Sequence, residues 1–204
     1  MISGPSGTGK GAICAGVTAE TNAVLSVSMT TRAPREHETE GKSYYFVDKE
    51  RFREAIAEEG LFEYAEVFGE YYGTPKAPVL AGLEEGKDVI LEIEVDGAKQ
   101  IKSGMPDAIL VFVLPPSLSE LKKRIEGRGT ETPERIELRL ERVGKEIGQI
   151  GNYDYLVIND ELGKAVSDML SIMRAARLRV GETAEGIINN FKWEANTNVT
   201  TPAD

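Results

Sequence analysis

"SGPSGTGKGAI", Ser3 to Ile13, begins after only two residues of the chain. Its Gly4-x-x-x-x-Gly9-Lys10 spacing is that of a loop that wraps phosphate. Glycines let successive backbone N–H groups turn inward, and a helix starting behind them adds its positive end. Lys10 then reaches the outer phosphates as a point charge. Gly4, Pro5, Ser6, Gly7, Thr8, Gly9, Lys10 and Gly11 are therefore the candidate residues around a nucleoside triphosphate. Such a loop needs a strand to enter and a helix to leave. Met1–Ser3 reads as the end of a strand, and Lys10–Ala19 has a helical pattern with Cys14 on its apolar side. One feature departs from the usual loop. A serine or threonine commonly follows the lysine and helps hold magnesium, whereas Gly11 and Ala12 carry no hydroxyl. Magnesium is then left to substrate phosphates, water and carboxylates, which suits an ion that dehydrates reluctantly.

Outward from the loop, short apolar segments alternate with amphipathic ones. Strands are expected at Ala23–Ser28, Asp88–Glu92, Ala108–Leu114 and Tyr155–Ile158. Helices are expected at Lys49–Glu59, Ala77–Glu85, Ser117–Glu126, Glu134–Ile150 and Leu162–Arg179. Buried strands separated by helices predict an α/β fold, a parallel sheet flanked by helices on both faces. Residues 30–75 break that rhythm, hold most of the tyrosines, and read as short antiparallel strands around one helix. They are expected to form an inserted sub-domain. "GRGTETP", residues 127–133, reads as a loop between helices, and residues 127–149 as a lid. The core is then 1–29, 76–126 and 150–193, and the polar stretch 194–204 is expected to be disordered. Trp193 either docks the C-terminal end or sits in the tail.

The 204 residues carry 24 basic and 34 acidic side chains, a net charge of −10. So acidic a body repels nucleic acid and anionic membranes, and neither is an expected partner. No apolar run nears the roughly 20 residues that span a bilayer. A single cysteine and the absence of a basic-then-apolar leader make the cytoplasm the expected compartment. One histidine, His37, and one cysteine argue against a structural zinc site. His37 lies in a polar loop with no expected catalytic role. An anionic substrate must be drawn in by clustered arginines.

Such a cluster stands in "SVSMTTRAPREHETEGKSYYFV", Ser26 to Val47. Arg32 and Arg35 flank Pro34, which stiffens the turn, so both forks can close on one phosphate. The run Ser28, Thr30, Thr31, Arg32, Pro34, Arg35, Glu38, Gly41, Tyr44, Phe46 resembles the guanylate kinase family. So do "LFEYAEVFGEYYGTP", "ILEIEVDGA", "FVLPPS", "RIEGRGTET" and "VINDEL", in that order, behind the phosphate loop. The resemblance runs from Ile2 to about Leu178. It implies transfer of a phosphoryl group from ATP, with Mg2+, to GMP and also dGMP, and hence a place in purine nucleotide metabolism. It implies that Arg32, Arg35, Tyr44 and Tyr72 hold the GMP phosphate, and that Ser28, Glu63, Thr74 and Glu94 read the base. Guanine presents N1–H and an N2 amino group beside O6, so a carboxylate and a hydroxyl suit that edge. Adenine has a lone pair at N1, and leaving a buried carboxylate facing it costs about 1–3 kcal/mol.

Where the family usually shows Asp-x-Asp, this chain has Glu92-Ile-Glu94. The i, i+2 spacing puts both carboxylates on one strand face, and the resemblance implies that Glu92 approaches magnesium or its waters and Glu94 the guanine edge. The family's common glutamine is Asp96 here. By resemblance Lys10, Arg32, Arg124, Arg128 and Arg139 act on the transferring group, and Asn159 lies near the adenine of ATP. Each assignment has a plainer competitor. Arg32 and Arg35 could pair with Glu36, Glu38 or Glu40. Glu63 could face solvent. The helix holding Arg139 could be a charged surface in which Arg135 and Arg142 make i, i+4 pairs. Two rival functions share this outline: a guanylate-kinase-like module that binds without catalysis, and a kinase of ribose bisphosphate. A substrate without a base would not need Glu63 and Glu94, and a binding module would not need Lys10 and the arginines. Monomer and homodimer both fit the sequence.

Overall fold

In the computed structural model, residues 1–36, 38–127, 133–180, 184, 187–189 and 191 are described, with side chains of 133–135 excepted. His37, Arg128, Trp193 and the segment 194–204 lie outside the described residues, as do the side chain of Arg135 and most of "GRGTETP". The strands are β1 Ile2–Ser3, β2 Val24–Leu25, β3 Met29–Thr30, β4 Tyr45–Phe46, β5 Leu61–Val67, β6 Glu70–Pro75, β7 Val89–Ile90, β8 Val111–Leu114 and β9 Tyr155–Ile158. The helices are α1 Lys10–Glu20, α2 Lys49–Ala57, α3 Lys76–Glu84, α4 Val95–Gly104, α5 Leu118–Glu126, α6 Pro133–Ile147 and α7 Leu162–Arg177.

The parallel pairs β2–β7 and β1–β8–β9 are stitched together where Ile2 bridges Glu92 and exchanges backbone hydrogen bonds with Leu91 and Ile93. The strand order is thus β2-β7-β1-β8-β9, with β1 at the centre. In such a sheet ligands gather outside the carboxyl ends of the strands, where connections leave in opposite directions. The phosphate loop leaves β1 at that place. Ile13, Cys14 and Val17 of α1 are buried, as are Ala165, Val166 and Met169 of α7. Burial pushes the Cys14 thiol up to about 12, and the charge of Glu92 adds to the effect. Val79, Leu91, Ile93, Ala98, Ile101 and Leu110 form a further core cluster.

A second sheet, β4-β3-β6-β5, takes up most of the stretch expected as an insert. Its strands are not all antiparallel as expected: Met29 and Thr30 run parallel to Tyr45 and Phe46. The reason is the long excursion from Thr31 to Tyr44, which returns the chain in its original direction instead of reversing it at a hairpin. α2 covers the sheet with Phe52 and Ala55, and Phe52 stacks on Tyr71 at 5.4 Å. Its start is set by Asp48, whose side chain accepts from the Arg51 amide at 2.7 Å. Ser117 caps α5 in the same way.

Other boundaries also moved. The strand expected over Ala23–Ser28 is only Val24–Leu25, and the chain then crosses into the second sheet at Met29. The helix expected to reach Ile150 ends at Ile147, and the one expected to reach Arg179 ends at Arg177. α4 was not expected at all: Gly97 and Gly104 weaken its helical signal, and Leu91, Ile93 and Val95 alternate like a strand. Its Val95, Ala98 and Ile101 are nonetheless buried on one face. α6 presents Ile136, Leu140 and Val143 to Leu121 and Ile125 of α5. By compactness the chain divides into Met1–Leu170 and Ser171–Asp204. The first unit holds both sheets, and the second holds the end of α7. No helix among the described residues is long and apolar enough to cross a membrane.

Candidate active site

The two sheets border a cleft of about 370 Å³. On one side lies the phosphate loop. Gly4, Gly7 and Gly9 all have positive φ, at 140°, 91° and 88°. Gly9 is also the residue before α1, and no described side chain caps that helix start, so its first amides face the cleft. A Cβ on Gly9 would meet the side-chain amide of Asn159. That amide donates to the Thr8 carbonyl at 2.8 Å, and the Thr8 hydroxyl donates to the Pro5 carbonyl at 3.0 Å. The loop is therefore held from behind. Lys10 is 8% exposed, and its ammonium donates to the carbonyls of Gly4 and Pro5 at 2.6 and 3.1 Å.

Ser6, Gly7, Gly9, Lys10 and Gly11 line the cleft, while Gly4, Pro5 and Thr8 form the back of the loop. Arg124 donates to the Asn159 carbonyl at 2.9 Å and pairs with Glu120 at 2.9 Å. It and Asn159 sit behind the loop and not on the cleft wall.

Opposite, the cleft is built of side chains. Ser28, Arg32, Arg35, Tyr44, Glu63 and Tyr72 line it. The competing ion pair exists as well: Glu38 accepts from Arg32 at 2.8 Å and from the Arg35 amide at 2.8 Å. Burial pushes the Glu38 carboxyl up, but the Arg32 and Arg35 hydrogen bonds outweigh it and hold it below the usual range. Glu38 thus braces the two arginines from outside. Arg32 lies 5.5 Å from the Tyr44 ring centre, and Tyr44 meets Tyr72 edge-on at 6.1 Å. Burial, with Glu92 nearby, pushes the Tyr44 hydroxyl up to about 12, so it stays a neutral donor.

Glu63 is 4% exposed, not facing solvent, and accepts from the Thr74 hydroxyl at 2.6 Å. Burial pushes its carboxyl up to about 7 against the Thr74 hydrogen bond, with the charge of Glu94 adding to the rise. Thr74 reaches the cleft through Glu63. A Cβ on Gly97 would collide with the Glu63 carboxylate, so the first turn of α4 must be bare there.

Glu92 and Glu94 both line the cleft. A Cβ at position 11 would lie 3.5 Å from Oε2 of Glu92. The oxygen of Glu92 therefore stands beside the place where the usual loop carries its hydroxyl. That one carboxylate at the mouth of the phosphate loop fits magnesium, which takes few protein ligands besides phosphate and water. No group of three or more His, Cys, Asp or Glu with metal-holding geometry occurs among the described residues.

α6 supplies the third wall, with Arg139, Arg142, Val143 and Glu146. Arg142, expected as a surface residue, is 23% exposed at its side chain and pairs with Glu146 at 2.7 Å. Arg139 and Arg142 both lie over the ring of Phe68, at 5.3 and 6.0 Å. Phe68 forms the β5–β6 turn with Gly69. The signal for this wall was in the sequence: positions 139, 142, 143 and 146 share one helix face.

A family model described as "Guanylate kinase" matches residues 1–176. The chain belongs to the guanylate kinase family. It is 48% identical to the guanylate kinase of Clostridium acetobutylicum over 190 residues, covering 93% of this chain and 91% of that one. Against the guanylate kinase of Thermus thermophilus it is 49% identical over 187 residues, covering 92% and 85%. Its fold is similar to the crystal structure of guanylate kinase from Anaplasma phagocytophilum, with TM-score 0.72 at 32% identity, covering 88% and 85%. The chain is thus a nucleotide-binding kinase, on the α/β scaffold read from its sequence.

Proposed function

We propose that this guanylate kinase family member transfers the terminal phosphoryl group of ATP to the phosphate of GMP, and also of dGMP, giving ADP and the nucleoside diphosphate. The observation that carries this reading is the buried Glu63–Thr74 pair across the cleft from the phosphate loop. A buried carboxylate is costly unless a ligand or partner satisfies it. Guanine's N1–H and N2 donors suit Glu63 and Glu94, and the Thr74 and Ser28 hydroxyls complete the polar edge.

The chemistry needs no protein nucleophile. Arg32, Arg35, Tyr44 and Tyr72 fix the acceptor phosphate, and the loop amides with Lys10 fix the donor. Positioning two reactants replaces a bimolecular encounter with an in-line attack. Lys10, Arg32 and Arg139 add positive charge where the transferring group spreads its negative charge. Arg124 and Asn159 support the loop from behind, and Arg128, outside the described residues, belongs to the segment proposed as a lid. Glu92 would hold magnesium, which when bound neutralises charge on the phosphates. The insert carries the acceptor, and α6 closes the third side.

The test is ADP formation from ATP and magnesium with GMP, AMP, CMP and UMP offered in parallel. Turnover confined to GMP is the expected result. Equal turnover with AMP would remove the guanine assignment of Glu63 and Glu94.

A further inference from the structure

The Arg142 guanidinium sits where three carboxylates from two segments converge. It pairs with Glu146 on its own helix at 2.7 Å, with Asp96 at 3.2 Å and with Glu94 at 3.8 Å. Its fourth neighbour is the ring of Phe68 at 6.0 Å. Glu146 is 7% exposed; burial pushes its carboxyl up, with Arg142 acting against it. Glu94 stands at the start of α4 with its backbone extended, and its side chain caps no amide. Nothing in that local backbone fixes the direction of its carboxylate. The ion pair that reaches it comes from α6, at 3.8 Å.

We propose that Arg142 is the positioning residue for Glu94, holding that carboxylate at the base edge of the cleft and tying it to the helix that carries Arg139. The proposal rests on the guanine reading given above. Its physical basis is charge. Glu94, Asp96 and Glu146 repel one another, and one guanidinium with donors on several sides offsets them together. Removing the cation frees Glu94 to turn away from its neighbours. A fork is also needed, because a lysine presents one point charge and cannot bridge Glu146 and Asp96 at the same time. The ring of Phe68 lies against the guanidinium on a further side.

The test compares GMP with inosine monophosphate, which lacks the N2 amino group, in wild type, Arg142→Met, Glu94→Gln and the double variant. If Arg142 acts through Glu94, Arg142→Met lowers kcat/KM for GMP by about 10-fold or more and for inosine monophosphate much less. The two single losses then fail to add in the double variant. Equal losses on both nucleotides, or losses that add, would overturn the proposal by making Arg142 merely structural. Should Arg142→Met not fold, Arg142→Lys decides the matter, with a reduced preference for GMP expected and an unchanged preference fatal. Wild type that ignores GMP altogether would instead defeat the guanine reading itself.

Discussion

The two sides of the cleft are made of different material. The phosphate loop offers the cleft backbone amides from one short run, Ser6 to Gly11, and is braced by Asn159 and Thr8. The side proposed for the acceptor offers side chains from β5, β6 and the segments that flank β3, β4 and the start of α4, and these groups are held by one another. Backbone amides are neutral donors whose dipoles do not titrate, and they keep their geometry under most substitutions. Side-chain carboxylates titrate, turn and lean on neighbours. The donor side should therefore fail at few positions and completely, and the acceptor side at many positions and by degrees.

Lys10→Met tests the first half of that contrast. It should lower kcat by about 10²–10³-fold, measured by coupled ADP release, with GMP affinity by calorimetry unchanged. A loss under about 10-fold would show that the amides suffice. On the other side, Arg32→Ala and Arg35→Ala should each weaken GMP binding by about 1.5–3 kcal/mol, the double variant should abolish turnover, and the ATP KM should hold. Activity surviving the double change would refute the clamp.

Gly97→Ala should act next most strongly. The new methyl group displaces the Glu63 carboxylate, which should cost about 1–3 kcal/mol of stability by denaturant titration and weaken GMP binding. Unchanged affinity would mean that Glu63 does not read the base.

Glu63 also gives the acceptor side a pH dependence. Its folded carboxyl lies near 7, above the unfolded value near 4.5, so the folded state binds the extra proton between these limits. Its contribution to stability is fully present below about 4.5 and is lost as pH rises through 7, by up to about 1.4 kcal/mol per unit. Glu63→Gln should flatten that decline in the free protein. GMP binding should run the other way, tightening as Glu63 ionises to accept from guanine. The phosphate of GMP titrates near 6 as well, so the component that Glu63→Gln removes is the informative one.

The smallest effect should come from Gly11→Ser. It places a hydroxyl beside Glu92 and should lower the magnesium concentration for half-maximal rate by about two- to threefold, one added ligand among several. No change would mean that Glu92 already does that work.

The same contrast explains what the sequence revealed. The phosphate loop, Glu92 and Glu94 are local patterns, and the sheet with its flanking helices follows from alternating apolar segments. The arginine pair was legible because Pro34 fixes a short turn. α4 was not, since two glycines hide its period until the sheet buries its Val95, Ala98 and Ile101. The parallel pairing of β3 with β4 depends on a loop path that no local pattern encodes. Arg142 looked like half of a surface pair, because only the fold brings Asp96 and Glu94 to the other side of it. Pairing of the arginines with Glu38 was only the competing reading; the pair does form, from outside the cleft, while both arginines still line it.

Cys14 lies one turn behind Lys10, fully buried with a thiol held protonated. A protonated, enclosed sulfur reacts with a disulfide reagent only when α1 comes away from the sheet. The lone cysteine is thus a built-in stopwatch for opening of the loop-bearing helix. Any nucleotide that binds only the closed form should slow its labelling by the factor 1 + [L]/Kd. Dissociation constants for ATP and GMP could then be read from the colour of a released thiol, with no catalysis required.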